Sequence, residues 1–114
     1  MAIDIKQHTI DFGTTGQITA DDLGEIVRLG YKSLINNRPD GEGGDAQPLQ
    51  SSIKQQALDL GLNYAYLPVI SGAITADQVQ QMAELIDSLP KPILAFCRSG
   101  ARSTNLYHLA MSRS

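Results

Sequence analysis

The chain has 114 residues, of which 42% are hydrophobic and 18% charged, and its formal net charge is −3 at pH 7. These values are typical of a globular chain, and the acidic balance argues against a nucleic-acid partner. The single cysteine excludes an internal disulfide and a multi-cysteine zinc site. No segment resembles a signal peptide or a membrane span, so we expect a single domain over residues 1–114, located in the cytoplasm and not at a membrane.

The first part of the chain predicts two strands, one helix and one long loop. A strand is expected over residues 7–12, followed by a glycine-containing turn over 13–16. Thr19 is a suitable cap for a helix over 20–29, which Gly30 ends. A buried strand follows over 31–36. Residues 37–48 contain three glycines and two prolines, so we expect an irregular segment, here called the glycine-rich loop.

The second part alternates helices and strands. Ser51 or Ser52 is expected to cap a helix that ends at Gly61, and a strand follows over 62–69. Thr75 and Gln78 have capping-box spacing at the start of a helix that reaches about residue 89. The fully apolar stretch 93–96 predicts a strand at the centre of a parallel sheet, and a last helix is expected over 103–111.

This alternation predicts an α/β fold with a mainly parallel sheet flanked by helices. In such sheets, ligands bind at the carboxyl ends of the strands. Cys97 directly follows the central strand, so topology and chemistry indicate the same place.

Residues 97–103, Cys-Arg-Ser-Gly-Ala-Arg-Ser, are here called the cysteine loop. A glycine turn leading into a helix directs backbone N–H groups at one point, and these groups stabilise a thiolate or a bound anion. Cys97 is therefore the predicted nucleophile and Arg102 the predicted anion clamp, since a guanidinium fork suits tetrahedral oxyanions. Ser103 is expected to cap the last helix and to donate to the cysteine sulfur. The residues predicted to bind the anion are Arg98, Ser99, Gly100, Ala101 and also Ser103.

Several segments resemble the phosphatase-like domain of beta-lactamase-hydrolase-like proteins. They are residues 16–19, 34–42 and 61–64, and the stretch from residue 74 to the cysteine loop. The resemblance implies the fold of dual-specificity protein phosphatases, which is protein-tyrosine-phosphatase-like. In some relatives the domain is joined to a metallo-beta-lactamase-fold persulfide dioxygenase, and this chain looks like a free-standing version.

The cysteine loop also resembles that of single-domain rhodaneses. Four residues separate Cys97 from Arg102, one fewer than in tyrosine-phosphatase loops. The resemblance to dual-specificity phosphatases would place an acid after the strand that ends near Val69, and none stands there. Such an acid protonates the leaving oxygen. The segment 38–42 is expected to form a pocket wall, and Asp40, Glu42 or Asp45 is a candidate replacement acid.

Three functions remain open on these grounds. The first, which the loop spacing favours, is sulfur transfer from thiosulfate or a persulfide to a thiol acceptor through a Cys97 persulfide. The alternative is a phosphatase with a phosphocysteine intermediate, and the third is a non-catalytic anion-binding module. The expected partner is a small anionic substrate: thiosulfate, a persulfide or a phosphate ester. No cofactor and no metal are expected, and the oligomeric state is left open.

Overall fold

A computed structural model describes residues 3–112. Five strands form one sheet: β1 (Ile5–Thr9), β2 (Phe12–Thr15), β3 (Ser33–Asn36), β4 (Asn63–Tyr66) and β5 (Ile93–Phe96). Four α-helices accompany it: α1 (Leu23–Arg28), α2 (Gln50–Asp59), α3 (Ala76–Ser88) and α4 (Ala101–Met111). Short 3-10 turns cover Ala20–Asp22 and Gly44–Ala46.

The sheet order is β1-β2-β5-β3-β4. Only β1 runs antiparallel to its neighbour, while β2, β5, β3 and β4 pair in parallel. The predicted α/β fold with a mainly parallel sheet is therefore confirmed. The apolar stretch Ile93–Phe96 is the central strand, as predicted, and all four of its residues are fully buried.

Helices cover both faces of the sheet because the buried strands alternate their side chains between two cores. Ile35 and Ala95 are neighbours in register and face the core under α3 and α4. Leu34 and Leu94 are the next register pair and face the core under α1 and α2. A strand buried on both faces has no polar positions along it, which explains the unbroken apolar run before Cys97.

The predicted strand over 7–12 is wrong in its bounds. The chain reverses at Ile10 and Asp11, so this segment is the tip of a hairpin between β1 and β2. Ile10 lies at the tip and is 86% exposed, although its apolar side chain suggested a buried position. Antiparallel pairing with β1 covers the outer edge of β2, which would otherwise present unpaired backbone groups.

The predicted starts of α3 and α2 have opposite outcomes. Thr75 and Gln78 form the predicted capping box at the start of α3, with the Gln78 N–H donating to Thr75 Oγ1 at 3.2 Å. Ser51 and Ser52 instead lie inside α2, and the first N–H of that helix, from Gln50, donates to Asp40 Oδ1 at 2.8 Å. None of the helices in residues 3–112 is long and apolar enough to cross a membrane.

Candidate active site

Cys97 directly follows β5 at the carboxyl edge of the sheet, and it is only 1% exposed. The chain then turns through Arg98, Ser99 and Gly100 into α4. Gly100 has a φ of 93°, and a Cβ at this position would lie 3.2 Å from the carbonyl carbon and oxygen of Thr15. Only glycine meets both demands, a left-handed backbone and a close approach to β2, without strain.

This turn directs backbone N–H groups at the sulfur. The Gly100 N–H donates to Cys97 Sγ at 3.2 Å. Burial alone raises the pKa of the Cys97 thiol, but the N–H groups of Ser103, Ser99, Gly100 and Arg102 outweigh it and hold that pKa below its ordinary value. The thiolate is the nucleophilic form, so the loop geometry favours the reactive state of the sulfur.

Arg102 lies in the first turn of α4 with its side chain only 9% exposed. Nη1 donates to Glu42 Oε2 at 2.9 Å and Nη2 to Glu42 Oε1 at 3.0 Å, which is a bidentate ion pair. Nη1 also donates to the Val69 carbonyl at 2.9 Å. Within residues 3–112, Nε of Arg102 has no such partner and remains as a donor.

Glu42 joins two arginines. Its Oε1 also accepts a hydrogen bond from Arg38 Nε at 2.9 Å, and Arg38 Nη1 donates to Gln17 Oε1 at 3.0 Å. The hydrogen bond from Arg102 outweighs burial and, together with Arg38, lowers the pKa of the Glu42 carboxyl. In return, Glu42 raises the pKa of Arg102. Glu42 is therefore a carboxylate at neutral pH and orients the guanidinium fork.

The other two acids of the glycine-rich loop lie away from this cluster. Asp40 accepts the Gln50 N–H at the start of α2, and its own N–H donates to the Tyr66 hydroxyl at 2.9 Å. Asp45 is exposed in the Gly44–Ala46 turn. Neither lines the cleft beside Cys97, so their predicted role as proton donors gains no support from the geometry.

Ser103 neither caps α4 nor donates its hydroxyl to the cysteine sulfur, so both of these predictions are wrong. Gly100 is the N-cap residue of α4, and Ser103 lies inside its first turn. The Ser103 hydroxyl donates to Asn37 Oδ1 at 2.8 Å, while the Asn37 amide donates to the Leu67 carbonyl at 2.9 Å. Its backbone N–H, and not its hydroxyl, stabilises the sulfur. The helix begins earlier than predicted because the left-handed Gly100 already completes the turn.

An open cleft of about 900 Å³ contains Cys97 and most of the predicted anion-binding residues. Its lining consists of Arg38, Glu42, Gly43, Ser71, Cys97, Arg98, Ser99, Ala101 and Arg102. The structure thus brings together Cys97, Arg98, Ser99, Ala101 and Arg102. Of the segment 38–42, it places Arg38 and Glu42 in the cleft wall. Sequence reasoning missed Ser71 and the bond of Asn37 to Ser103, and no local pattern marks either contact.

The family model of the beta-lactamase hydrolase-like protein, phosphatase-like domain, matches residues 4–114. The chain belongs to this family. A beta-lactamase hydrolase-like protein of Xylella fastidiosa is 36% identical over 96 residues, which cover 84% of this chain and 22% of that protein. The chain thus spans about a fifth of the length of the curated relative.

Solved structures agree with this family. A crystal structure from Neisseria meningitidis, of a protein assigned as a phosphatase, is 32% identical with a TM-score of 0.82, covering 89% of this chain and 71% of that one. One from Shewanella putrefaciens, also assigned as a phosphatase, is 18% identical with a TM-score of 0.81, covering 94% and 66%. The phosphatase-like family and the protein-tyrosine-phosphatase-like fold are thus confirmed. These likenesses indicate a cysteine-dependent, phosphatase-like enzyme, and they favour the phosphatase alternative over sulfur transfer.

Proposed function

We propose that this domain is a cysteine-dependent phosphatase in which Cys97 is the nucleophile. The observation that carries the proposal is the convergence of four backbone N–H groups that lower the pKa of the only thiol in the chain. A thiolate held by these N–H groups beside the guanidinium of Arg102 is suited to attack phosphorus, and the phosphatase-like family match supports phosphate esters as the substrate class.

The reaction has two steps. The Cys97 thiolate attacks the phosphorus atom, the bond from phosphorus to the ester oxygen breaks, and a phosphocysteine forms. Water then attacks phosphorus, releases inorganic phosphate and returns the thiolate. The N–H groups of the cysteine loop and the guanidinium of Arg102 stabilise the charge on the transferring group, which is the main contribution that a protein makes to phosphoryl transfer.

An alkoxide leaving group must take up a proton in the first step, because it leaves poorly as an anion. Glu42 is held as a carboxylate by Arg102 and Arg38 and is not available as the acid. Asp40 and Asp45 do not line the cleft. The proposal therefore favours aryl phosphates over alkyl phosphates, because a phenolate leaves more readily than an alkoxide without protonation. Reducing conditions, as in the cytoplasm predicted from the sequence, keep the thiol usable.

The test is turnover of para-nitrophenyl phosphate by the wild type and by Cys97→Ser, with intact-mass analysis of the acid-quenched enzyme. We expect turnover and a mass gain of one phosphoryl group in the wild type, and neither in the variant. Gly24→Ala is a matched control, because a Cβ there meets nothing within 4 Å. Equal turnover by Cys97→Ser would contradict the proposal.

Sulfur transfer remains a second candidate because of one observation, the four residues between Cys97 and Arg102. In that reaction the thiolate attacks the outer sulfur of thiosulfate, the sulfur–sulfur bond breaks, sulfite leaves and a cysteine persulfide remains. Incubation with thiosulfate, followed by intact-mass analysis, separates the two reactions. A gain of one sulfur atom together with no turnover of para-nitrophenyl phosphate would overturn the preference for phosphate esters.

A further inference from the structure

The side chains that line the cleft beside Cys97 carry a net positive charge, and one of the arginines is not paired with the glutamate. Three arginines and one glutamate line it. Glu42 forms hydrogen-bonded ion pairs with Arg38 and Arg102. Within residues 3–112, Arg98 forms no salt bridge and its side chain donates no hydrogen bond. The chain as a whole has a net charge of −3, so this local excess of positive charge is a property of the cleft and not of the surface in general.

The same cleft offers no surface on which an aromatic ring would pack. Among the described residues that line it, none is aromatic and the largest aliphatic side chain is that of Ala101. Tyr66 reaches only the glycine-rich loop, through its hydroxyl and the N–H of Asp40. A substrate whose second recognition element is a bare ring would therefore gain little from burial here, whereas a charged group would meet polar partners.

The backbone of Arg98 is held firmly while its side chain is exposed. Its carbonyl accepts a hydrogen bond from the Gln17 N–H at 3.1 Å. Gly16 packs so closely that a Cβ there would lie 3.0 Å from the same carbonyl. Arg98 is also the residue after Cys97, so its backbone lies close to the reacting sulfur. Because Arg98 lines the cleft, its long exposed side chain can reach a group carried by a phosphate ester bound over the sulfur.

We propose that Arg98 binds a second anionic group of the substrate. This inference rests on the phosphatase function proposed above and names its substrate class: a small phosphate ester that carries a further carboxylate or phosphate close to the ester. The planar fork of Arg98 pairs with either group through two parallel hydrogen bonds. Arg102 and the loop N–H groups hold the phosphate that is transferred, and Arg98 selects among its esters.

The test compares two esters with similar leaving groups, phenyl phosphate and meta-carboxyphenyl phosphate. We expect the wild type to have a kcat/KM about tenfold higher for the carboxylated ester, because one charge-assisted pair of hydrogen bonds changes an affinity by about this factor. Arg98→Ala should abolish this preference, because kcat/KM should fall about tenfold more for the carboxylated ester than for phenyl phosphate. Arg98→Lys should keep part of it. Arg28→Ala, at an exposed arginine of α1, is the control that should change neither.

Raising the salt concentration should shrink the preference, because the pair is exposed to solvent. Equal kcat/KM values for the two esters in the wild type, or an equal loss for both in Arg98→Ala, would overturn the role of Arg98 while leaving the phosphatase function intact.

Calorimetric binding of the same two esters to Cys97→Ser separates the two proposals, since it needs no turnover. A preference for the carboxylated ester that disappears in Cys97→Ser with Arg98→Ala supports the second-anion site. If the wild type hydrolyses neither ester while this binding preference is present, the phosphatase function fails and the ligand class stands.

Discussion

The cysteine loop and the glycine-rich loop lie at the same edge of the sheet, but side-chain hydrogen bonds have the larger share in holding the second. Backbone groups fix the cysteine loop: the Gln17 N–H bonds to the Arg98 carbonyl, and the Thr104 N–H bonds to the Gly100 carbonyl at 2.9 Å. The glycine-rich loop also contains backbone turns, such as the bond from the Gly44 N–H to the Gly41 carbonyl at 3.1 Å, but side chains connect these turns to each other. Gln47 alone accepts the Gly43 N–H at 2.7 Å and donates to the Pro39 carbonyl at 2.8 Å.

This difference separates two tasks of the site. The cysteine loop supplies N–H donors whose positions depend on backbone geometry, and its exposed side chains, those of Arg98, Ser99 and Ala101, are available for substrate contact. The glycine-rich loop supplies one carboxylate, Glu42, which crosses to α4 and orients Arg102. Substitutions in the cysteine loop should therefore change the reaction rate mainly through the backbone and through the side chains of Arg98 and Arg102. Substitutions in the glycine-rich loop should act through the loss of side-chain hydrogen bonds.

The largest effect is expected for Arg102→Lys. A single ammonium cannot reproduce the bidentate contact with Glu42 and the bond to the Val69 carbonyl while also facing the substrate. We expect kcat/KM for an aryl phosphate to fall by about 10²-fold, as for the loss of one transition-state donor. Steady-state kinetics measures this.

The matched comparison is Arg38→Lys, in the glycine-rich loop. Arg38 shares Glu42 but contacts Gln17 and not α4, so its loss should cost clearly less activity. If both variants lose the same activity, the two arginines act as one unit and the division of tasks between the loops is wrong.

The next effect is expected for Gly100→Ala. A φ of 93° strains any residue with a Cβ, and the added atom would approach Thr15 at 3.2 Å. We expect the free energy of unfolding to fall by about 1–3 kcal/mol. The Gly100 N–H should also move away from the sulfur, so the pKa of Cys97 should rise towards its ordinary value. Urea unfolding measures the first effect, and the pH dependence of alkylation the second.

Alkylation reports on Cys97 alone because the chain has one cysteine. In the wild type the pKa of the folded thiol is lowered, so its thiolate persists below the pKa of a free cysteine. The associated stability is present above the unfolded pKa and is lost as the pH falls through the folded pKa. The control is Gly24→Ala in α1, where the same atom meets nothing within 4 Å. An alkylation midpoint at the free-cysteine value in the wild type would refute the activated thiolate.

The sequence was sufficient for those parts that depend on local pattern. The apolar stretch Ile93–Phe96 predicted the central strand, and Gly100 predicted the turn whose N–H groups surround the sulfur. The capping box of Thr75 and Gln78 was read correctly because both partners lie within one helical turn.

The rest depends on contacts between distant positions. Ser103 has a hydroxyl suited to the sulfur, yet Asn37, 66 positions away, accepts its hydrogen. Glu42 and Arg102 are 60 positions apart, and only the crossing of β3 next to β5 brings them together. No local pattern in the chain encodes such a pairing. The turn at Ile10 was missed for a related reason, since the apolar residue at the hairpin tip resembles a strand residue.

A smaller effect is expected for Glu42→Gln. The amide keeps one oxygen for Arg102 but presents an NH₂ group where Arg102 or Arg38 needs an acceptor. We expect kcat/KM to fall about tenfold because the guanidinium loses its orientation. Acid lability should change too. The lowered pKa of Glu42 adds stability that is lost as the pH falls through its folded value, and the variant should lack this component.

Kinetics and urea unfolding at several pH values measure both effects, with Glu84→Gln on α3, where Gln80 donates to the glutamate, as an exposed control. A rise in kcat/KM would contradict the orienting role. It would mean that Glu42 competes with the substrate for Arg102.

The smallest effect is expected at the start of α2. Here the observed bond from the Gln50 N–H to Asp40 is compared with the helix cap that the sequence predicted at Ser51. Asp40→Ala removes the acceptor of the Gln50 N–H, so the free energy of unfolding should fall by about 1 kcal/mol. Ser51→Ala should change it by less than about 0.5 kcal/mol, because Ser51 lies inside the helix and is exposed. Activity on aryl phosphates should stay within about threefold in both variants, since neither residue lines the cleft.

A loss of stability in Ser51→Ala that exceeds the loss in Asp40→Ala would restore the cap predicted from sequence. A large loss of activity confined to Asp40→Ala would make Asp40 the missing acid. The glycine-rich loop would then have to close over the cleft during turnover, because Asp40 reaches the ester oxygen only by leaving Gln50.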